Sequence, residues 1–201
     1  QVDDVKMSKS LGNFFTLRDV LDKHDAETLR FFLMSAHYRS QLSYSQDSIT
    51  QAKAGLERLY TSLRDVVADV SVDVSYGGYL QRFETAMNDD FNMPVAFSVL
   101  FDVAKDLNKQ LPSTQQAQKL AGVLLKLGDI LGLLQSDPTE FLQGNTSGDD
   151  EFAHKVEALI EQRNNARAEK NWAEADAARD ALSALNVVLE DSAGRTTWRK
   201  V

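Results

Sequence analysis

Hydrophobic positions recur every three or four residues along most of the chain, the spacing that lines one face of an α-helix. After Asp25, a short acceptor suited to a helix start, residues 26–37 carry Leu29, Phe32 and Leu33 on one stripe. Ser45 precedes a longer run with Ile49, Ala52, Leu56, Leu59, Leu63 and Val66 on its apolar face. The pattern breaks from Ser71 to Gly78, where Gly77-Gly78 signals a turn, and a helix over about 79–89 follows. Asn92-Met93-Pro94 puts proline in a first turn, where its missing N–H costs nothing. Val95, Val99, Val103, Leu107 and Leu111 continue that helix until Pro112-Ser113. From Gln115 to Leu134, the residues Leu120, Val123, Leu124, Leu127, Ile130, Leu131 and Leu134 predict one more.

Residues 144–150 are small, polar and turn-forming, and read as a linker. Beyond them the spacing predicts a helix over 151–170, with Phe152, Val156, Leu159 and Ile160 inward, and a second over 172–185. Val187 to Glu190, a turn through Ser192-Ala193-Gly194, and Arg195 to Arg199 predict a β-hairpin. The expected fold class is mainly α: a leading segment over 1–40, an antiparallel helical bundle over 41–143, and a small α+β domain over 151–201 with two helices and a short hairpin.

The chain has 201 residues, with 22 Lys+Arg against 30 Asp+Glu and a formal net charge of −8. A total this acidic argues against gripping nucleic acid through bulk charge. The acidity is unevenly spread, however. Residues 71–150 hold 5 basic and 11 acidic side chains, while residues 151–201 hold 8 and 9. The absence of cysteine excludes disulfides, thiolate metal sites and cysteine nucleophiles. None of the three histidines, His24, His37 and His154, has neighbours at metal-ligand spacing. Neither G-x-G-x-x-G nor G-x-x-x-x-G-K-[ST] occurs, and no apolar run reaches bilayer length. The start, Gln1-Val2-Asp3-Asp4, has no basic stretch followed by an apolar one, so no signal peptide is expected.

Lys6-Met7-Ser8-Lys9-Ser10, followed by Leu11-Gly12-Asn13, is the most specific string. Two ammonium groups, two hydroxyls and a glycine on a short loop can fold over a triphosphate and meet the charge that develops there. The string resembles, letter for letter, the second signature (KMSKS) of class I aminoacyl-tRNA synthetases. Asp25-Ala26-Glu27-Thr28-Leu29-Arg30 resembles the helix that follows this loop and packs against the stem of the nucleotide-binding domain. Further on, His37-Tyr38-Arg39-Ser40-Gln41-Leu42-Ser43-Tyr44-Ser45 and Met87-Asn88-Asp89-Asp90-Phe91-Asn92-Met93-Pro94 are similar to cysteinyl-tRNA synthetase segments, with Met93 where threonine is more usual. The tail, Lys170-Asn171-Trp172, Ala175-Asp176, Arg179-Asp180, Leu189-Glu190-Asp191 and Thr196-Thr197-Trp198-Arg199, looks like the anticodon-binding domain of the bacterial branch. Asn186 departs from the glycine common there.

The resemblance implies a bundle of the class Ia anticodon-binding type, preceded by the KMSKS loop and stem-contact helix. It also implies a cytoplasmic C-terminal fragment of a ligase that activates cysteine with ATP and transfers it to the 3′ end of cysteine tRNA. Lys9 and secondarily Lys6 are then the expected catalytic and ATP-phosphate contacts, with Ser8 and Ser10 setting the loop. The family's HIGH signature and Zn2+ site lie before this signature, and their residues are absent from this sequence. The 201 residues alone are therefore expected to be inactive.

For anticodon reading, Arg167, Trp172 and Trp198 can supply stacking planes, and Asp176 and Asp191 can accept from base edges. Arg163, Arg167, Lys170 and Arg199 can hold phosphates. Trp198 fits equally a core residue pinning the hairpin. Two other readings stay open: a related cysteine:amino-sugar ligase, against which the tail speaks, and a non-catalytic helical adaptor for tRNA or protein.

Overall fold

The computed structural model describes Ser8 and residues 16–143, 150–192 and 195–200. The chain forms two compact units, residues 1–135 and 136–201.

Within the described residues the first unit is built mainly of helices: α1 (Leu17–Leu21), α2 (Ala26–Met34), α3 (Gln46–Leu63), α4 (Tyr79–Asn88), α5 (Met93–Leu107) and α6 (Gln115–Ile130). Most starts are capped as their sequence suggests. Asp25 accepts from the N–H groups of Glu27 and Thr28, Ser45 forms a reciprocal box with Ser48, and Thr114 accepts from Ala117. Helices α3, α4 and α6 pack on α5, and α2 packs on α3. At the centre Phe31 stacks on Phe97 with ring centroids 4.5 Å apart and meets Phe101 edge-on. Leu56, Leu59, Tyr60, Leu100 and Leu124 have no solvent exposure.

The apolar stripes differ from expectation at their margins. The buried arc of α2 runs through Thr28, Leu29, Phe31 and Phe32, so Leu33 lies past its edge and is 53% exposed. The helix ends at Met34, short of His37. On α5 the core takes Met93, Ala96, Phe97, Leu100 and Ala104 along with the valines, while Val95 stays exposed. Leu111, beyond the end of α5, and Ile130, at the last residue of α6, are exposed too. Spacing alone locates a stripe but not its width, and small residues such as Ala96 and Ala104 belong to it by volume.

The connection between α3 and α4 lies tightly on α6. A Cβ at Gly122 would come within 2.1 Å of the Asp69 carbonyl oxygen, so only glycine fits. The Asp69 N–H donates to the Gln118 carbonyl at 2.8 Å, and the Lys126 ammonium donates to the Val72 carbonyl. Several carboxylates of the acidic middle of the chain are exposed and paired. Asp102 meets Arg82, Asp106 takes Lys109 and the Tyr79 hydroxyl, and Asp90 takes Tyr38 and Arg39.

The second unit contains α7 (Pro138–Gln143), α8 (Asp150–Ala168), α9 (Trp172–Ala184), β1 (Val187–Ser192) and β2 (Arg195–Lys200). The short helix α7 has no counterpart in the sequence reading. Helices α8 and α9 pack closely, with Ala166, Ala175 and Ala178 buried. The strands pair antiparallel with Leu189 opposite Trp198. Val156, Ile160, Leu182, Val187 and Trp198 form the core beneath the hairpin. Between α9 and β1, Asn186 has φ +56°, the left-handed region that glycine enters freely and asparagine tolerates. That geometry accounts for asparagine standing where glycine is common.

Candidate nucleic-acid interface

In the second unit α8 ends in two arginines one turn apart, and both reach β1. Arg163 donates both terminal nitrogens to Asp191, at 3.2 Å to Oδ1 and 2.7 Å to Oδ2. Arg167 adds a 3.3 Å hydrogen bond to Oδ2, and the Thr196 hydroxyl adds one of 2.8 Å to Oδ1 from the facing strand. These hydrogen bonds, those of Arg163 first and Thr196 next, hold the Asp191 carboxyl down at about 2. The two arginines differ in access. The Arg163 side chain is 11% exposed and committed to its fork, whereas that of Arg167 is 49% exposed. Arg163, expected to hold a phosphate, is here a buried strut.

Trp172 opens α9 and is 62% exposed. Asn171 caps that helix through the Glu174 N–H and also donates to the Glu174 carboxylate at 2.9 Å. Asp176 follows one turn later on the same side, and Arg179 pairs with it at 3.4 Å with both side chains exposed. Trp172, Asp176 and Arg179 therefore line an open face.

Trp198 does not join them. It is 5% exposed, and Phe152 meets it edge-on at 6.1 Å, so its ring faces are spent on the core and it cannot stack a base. Of the two roles the sequence left open, its packing is that of the core residue. Arg199 is held by Glu190 at 3.2 Å across the hairpin.

In the first unit Ser8 alone of the KMSKS loop falls among the described residues; it is half-buried. Lys6, Lys9 and Ser10 lie outside them. Sequence reasoning missed Glu27, in the helix after that loop. One of its carboxylate oxygens accepts the Tyr60 hydroxyl at 2.8 Å and the other accepts the Leu134 N–H. Its only signal was a carboxylate two positions past a cap, which does not reveal partners 33 and 107 residues away. Among the described residues no cluster of three His, Asp or Glu side chains could hold a metal, so these residues do not fit a zinc site. No described helix is long and apolar enough to cross a membrane.

Three family models match the chain in succession. Residues 1–54 match the tRNA synthetases class I (C) catalytic domain, residues 82–135 the DALR domain, and residues 149–199 the cysteinyl-tRNA ligase anticodon binding domain. They place the chain within the class I aminoacyl-tRNA synthetase family. The chain is 57% identical over 201 residues to a cysteine–tRNA ligase of Aliivibrio fischeri, and 56% identical over 203 residues to one of Colwellia psychrerythraea. One of Yersinia pestis is 55% identical over 202 residues. Each match covers 99–100% of this chain and 43% of the relative. The chain belongs to the cysteine–tRNA ligase family, and it spans less than half the length of the curated relatives it matches.

Proposed function

We propose that these 201 residues serve as the KMSKS-bearing, tRNA-recognition part of a longer, cytoplasmic cysteine–tRNA ligase. That enzyme couples ATP to cysteine, giving cysteinyl-adenylate, and passes cysteine to the 3′ end of cysteine tRNA. One observation carries the reading. Inside the segment matching an anticodon-binding domain, an exposed tryptophan shares a helix face with Asp176 and Arg179, and the same unit holds a half-free arginine.

In this reading residues 1–40 form the loop and stem-contact segment and 144–150 a linker before the anticodon domain over 151–201; the bundle, expected over 41–143, stops at 135, because α7 belongs to the second compact unit and packs on β2. Lys9, supported by Lys6, neutralises the ATP phosphates as negative charge builds during attack on the α-phosphorus, and Ser8 and Ser10 shape the loop. In this reading the residues that hold zinc lie outside this chain. Trp172 stacks a splayed anticodon base, and Asp176 accepts from a base edge. Asp191 enters RNA recognition already loaded. In its fork the Arg163 side chain is only 11% exposed, whereas the bond from Asp191 to Arg167 is longer, at 3.3 Å, and that arginine is half exposed. A base that presents an amine to Asp191 displaces Arg167, which turns to an RNA phosphate.

The amino-sugar ligase reading is not favoured, because the whole tail matches an anticodon-binding module. Cysteine-dependent exchange of pyrophosphate into ATP tests the division of labour. The full-length ligase should catalyse it and the 201 residues alone should not; exchange by the 201 residues alone would overturn the proposal.

A further inference from the structure

Two strings of the first unit, His37-Tyr38-Arg39 and Asp89-Asp90-Phe91, belong to separate family-model matches or their margins, yet they meet in space. The Tyr38 hydroxyl donates to Asp90 Oδ1 at 2.7 Å. Arg39 Nε donates to the Tyr38 oxygen at 2.8 Å and lies 3.3 Å from Asp90 Oδ2. The His37 ring stacks on Tyr38 at 4.9 Å, and its Nδ1 accepts the Arg39 N–H. The Tyr38 and Phe91 rings meet edge to face at 6.5 Å.

The backbone here is strained. Asp90 and Phe91 are consecutive non-glycine residues, each with φ +53°, in the left-handed region that L side chains disfavour. A turn between α4 and α5 built for economy would use glycine or asparagine and would not hold a phenyl ring in water. Phe91 is nonetheless 60% exposed, Tyr38 59% exposed, and the Arg39 side chain 69% exposed. Strain of this kind persists only where its surroundings enforce it, and it gathers at ligand clamps. The Tyr38–Asp90–Arg39 bonds provide that enforcement.

We propose that this corner is a second RNA contact, a clamp that stacks an unpaired base on the exposed Phe91 ring, which Tyr38 buttresses edge-on, while Arg39 takes the adjoining phosphate. An exposed aromatic plane beside a guanidinium matches a nucleotide, whatever its base. The Tyr38 hydroxyl and Arg39 both hold Asp90, which fixes the turn and the guanidinium beside Phe91. The proposal rests on the tRNA-binding reading above but concerns a different unit from the anticodon face.

The test uses the full-length ligase and cysteine tRNA. Phe91→Gly relaxes the backbone, so the melting temperature should hold or rise while tRNA affinity falls roughly 5- to 150-fold. Phe91→Trp should bind as the parent does. Arg39→Gln should lower the slope of log affinity against log salt by about one, and Phe91→Gly should leave that slope unchanged. Cysteine-dependent pyrophosphate exchange and binding of an isolated anticodon stem-loop should be unaffected by Phe91→Gly. A Phe91→Gly enzyme that binds cysteine tRNA as tightly as the parent overturns the clamp and leaves the wider reading intact. A parent enzyme that binds no tRNA overturns the wider reading, and the clamp falls with it.

Discussion

The Tyr60 hydroxyl of α3 donates to the Glu27 carboxylate of α2 at 2.8 Å, in the helix that follows the KMSKS loop. The other Glu27 oxygen takes the Leu134 N–H just beyond α6. One half-buried carboxylate thereby joins three helices. Tyr60→Phe should cost about 1.5–3 kcal/mol, the range for a hydrogen bond to a charged acceptor. Glu27→Gln should cost at least as much, because its amide cannot accept from both partners with both ends. Urea denaturation checks this through a lower midpoint at an unchanged slope.

Acid should reveal Asp191. Its carboxyl is held at about 2 in the folded chain, below the ordinary carboxylate value, by Arg163 first and then Thr196. A lowered folded value means that the stabilisation is whole above the unfolded value near 4 and is lost as pH falls through about 2. Asp191→Asn should therefore melt below the parent at pH 6, and the gap should close towards pH 2. A constant gap across that window would contradict the assignment.

The two tryptophans should separate stability from binding. Trp198→Ala opens a cavity under the hairpin and should cost about 3–5 kcal/mol of stability in the second unit. Trp172→Ala removes an exposed ring and should change stability by no more than about 0.5 kcal/mol. If a base stacks on Trp172, the same substitution should cost about 1–3 kcal/mol of RNA affinity.

Base should pick out Tyr79. Burial, followed by its 2.6 Å hydrogen bond to Asp106, pushes its hydroxyl up to about 12. The folded state favours the neutral phenol, so this contribution is whole below about pH 10 and is lost as pH rises through about 12. Ultraviolet titration of tyrosinate should show a late step near pH 12 that Tyr79→Phe removes.

Local features were the legible ones. Asp25 and Ser45 announced their caps, residues 92–94 announced α5, and the alternation after Val187 announced the hairpin. Each depends on neighbours within one turn. Properties that depend on distant partners were hidden. The choice of Phe31 over Leu33 was made by Phe97, and the burial of Trp198 by Phe152 and Val156. The loading of Asp191 came from arginines 24 and 28 residues away. The KMSKS string was legible as chemistry, yet its lysines lie outside the described residues.

Affinity of the full-length ligase for cysteine tRNA, measured over a salt series against the same tRNA with its GCA anticodon altered, bears most directly on the recognition role proposed for residues 151–201. The cognate anticodon should bind more tightly at every salt concentration, and Trp172→Ala should narrow the difference. Equal affinities for both tRNAs throughout the series would contradict it.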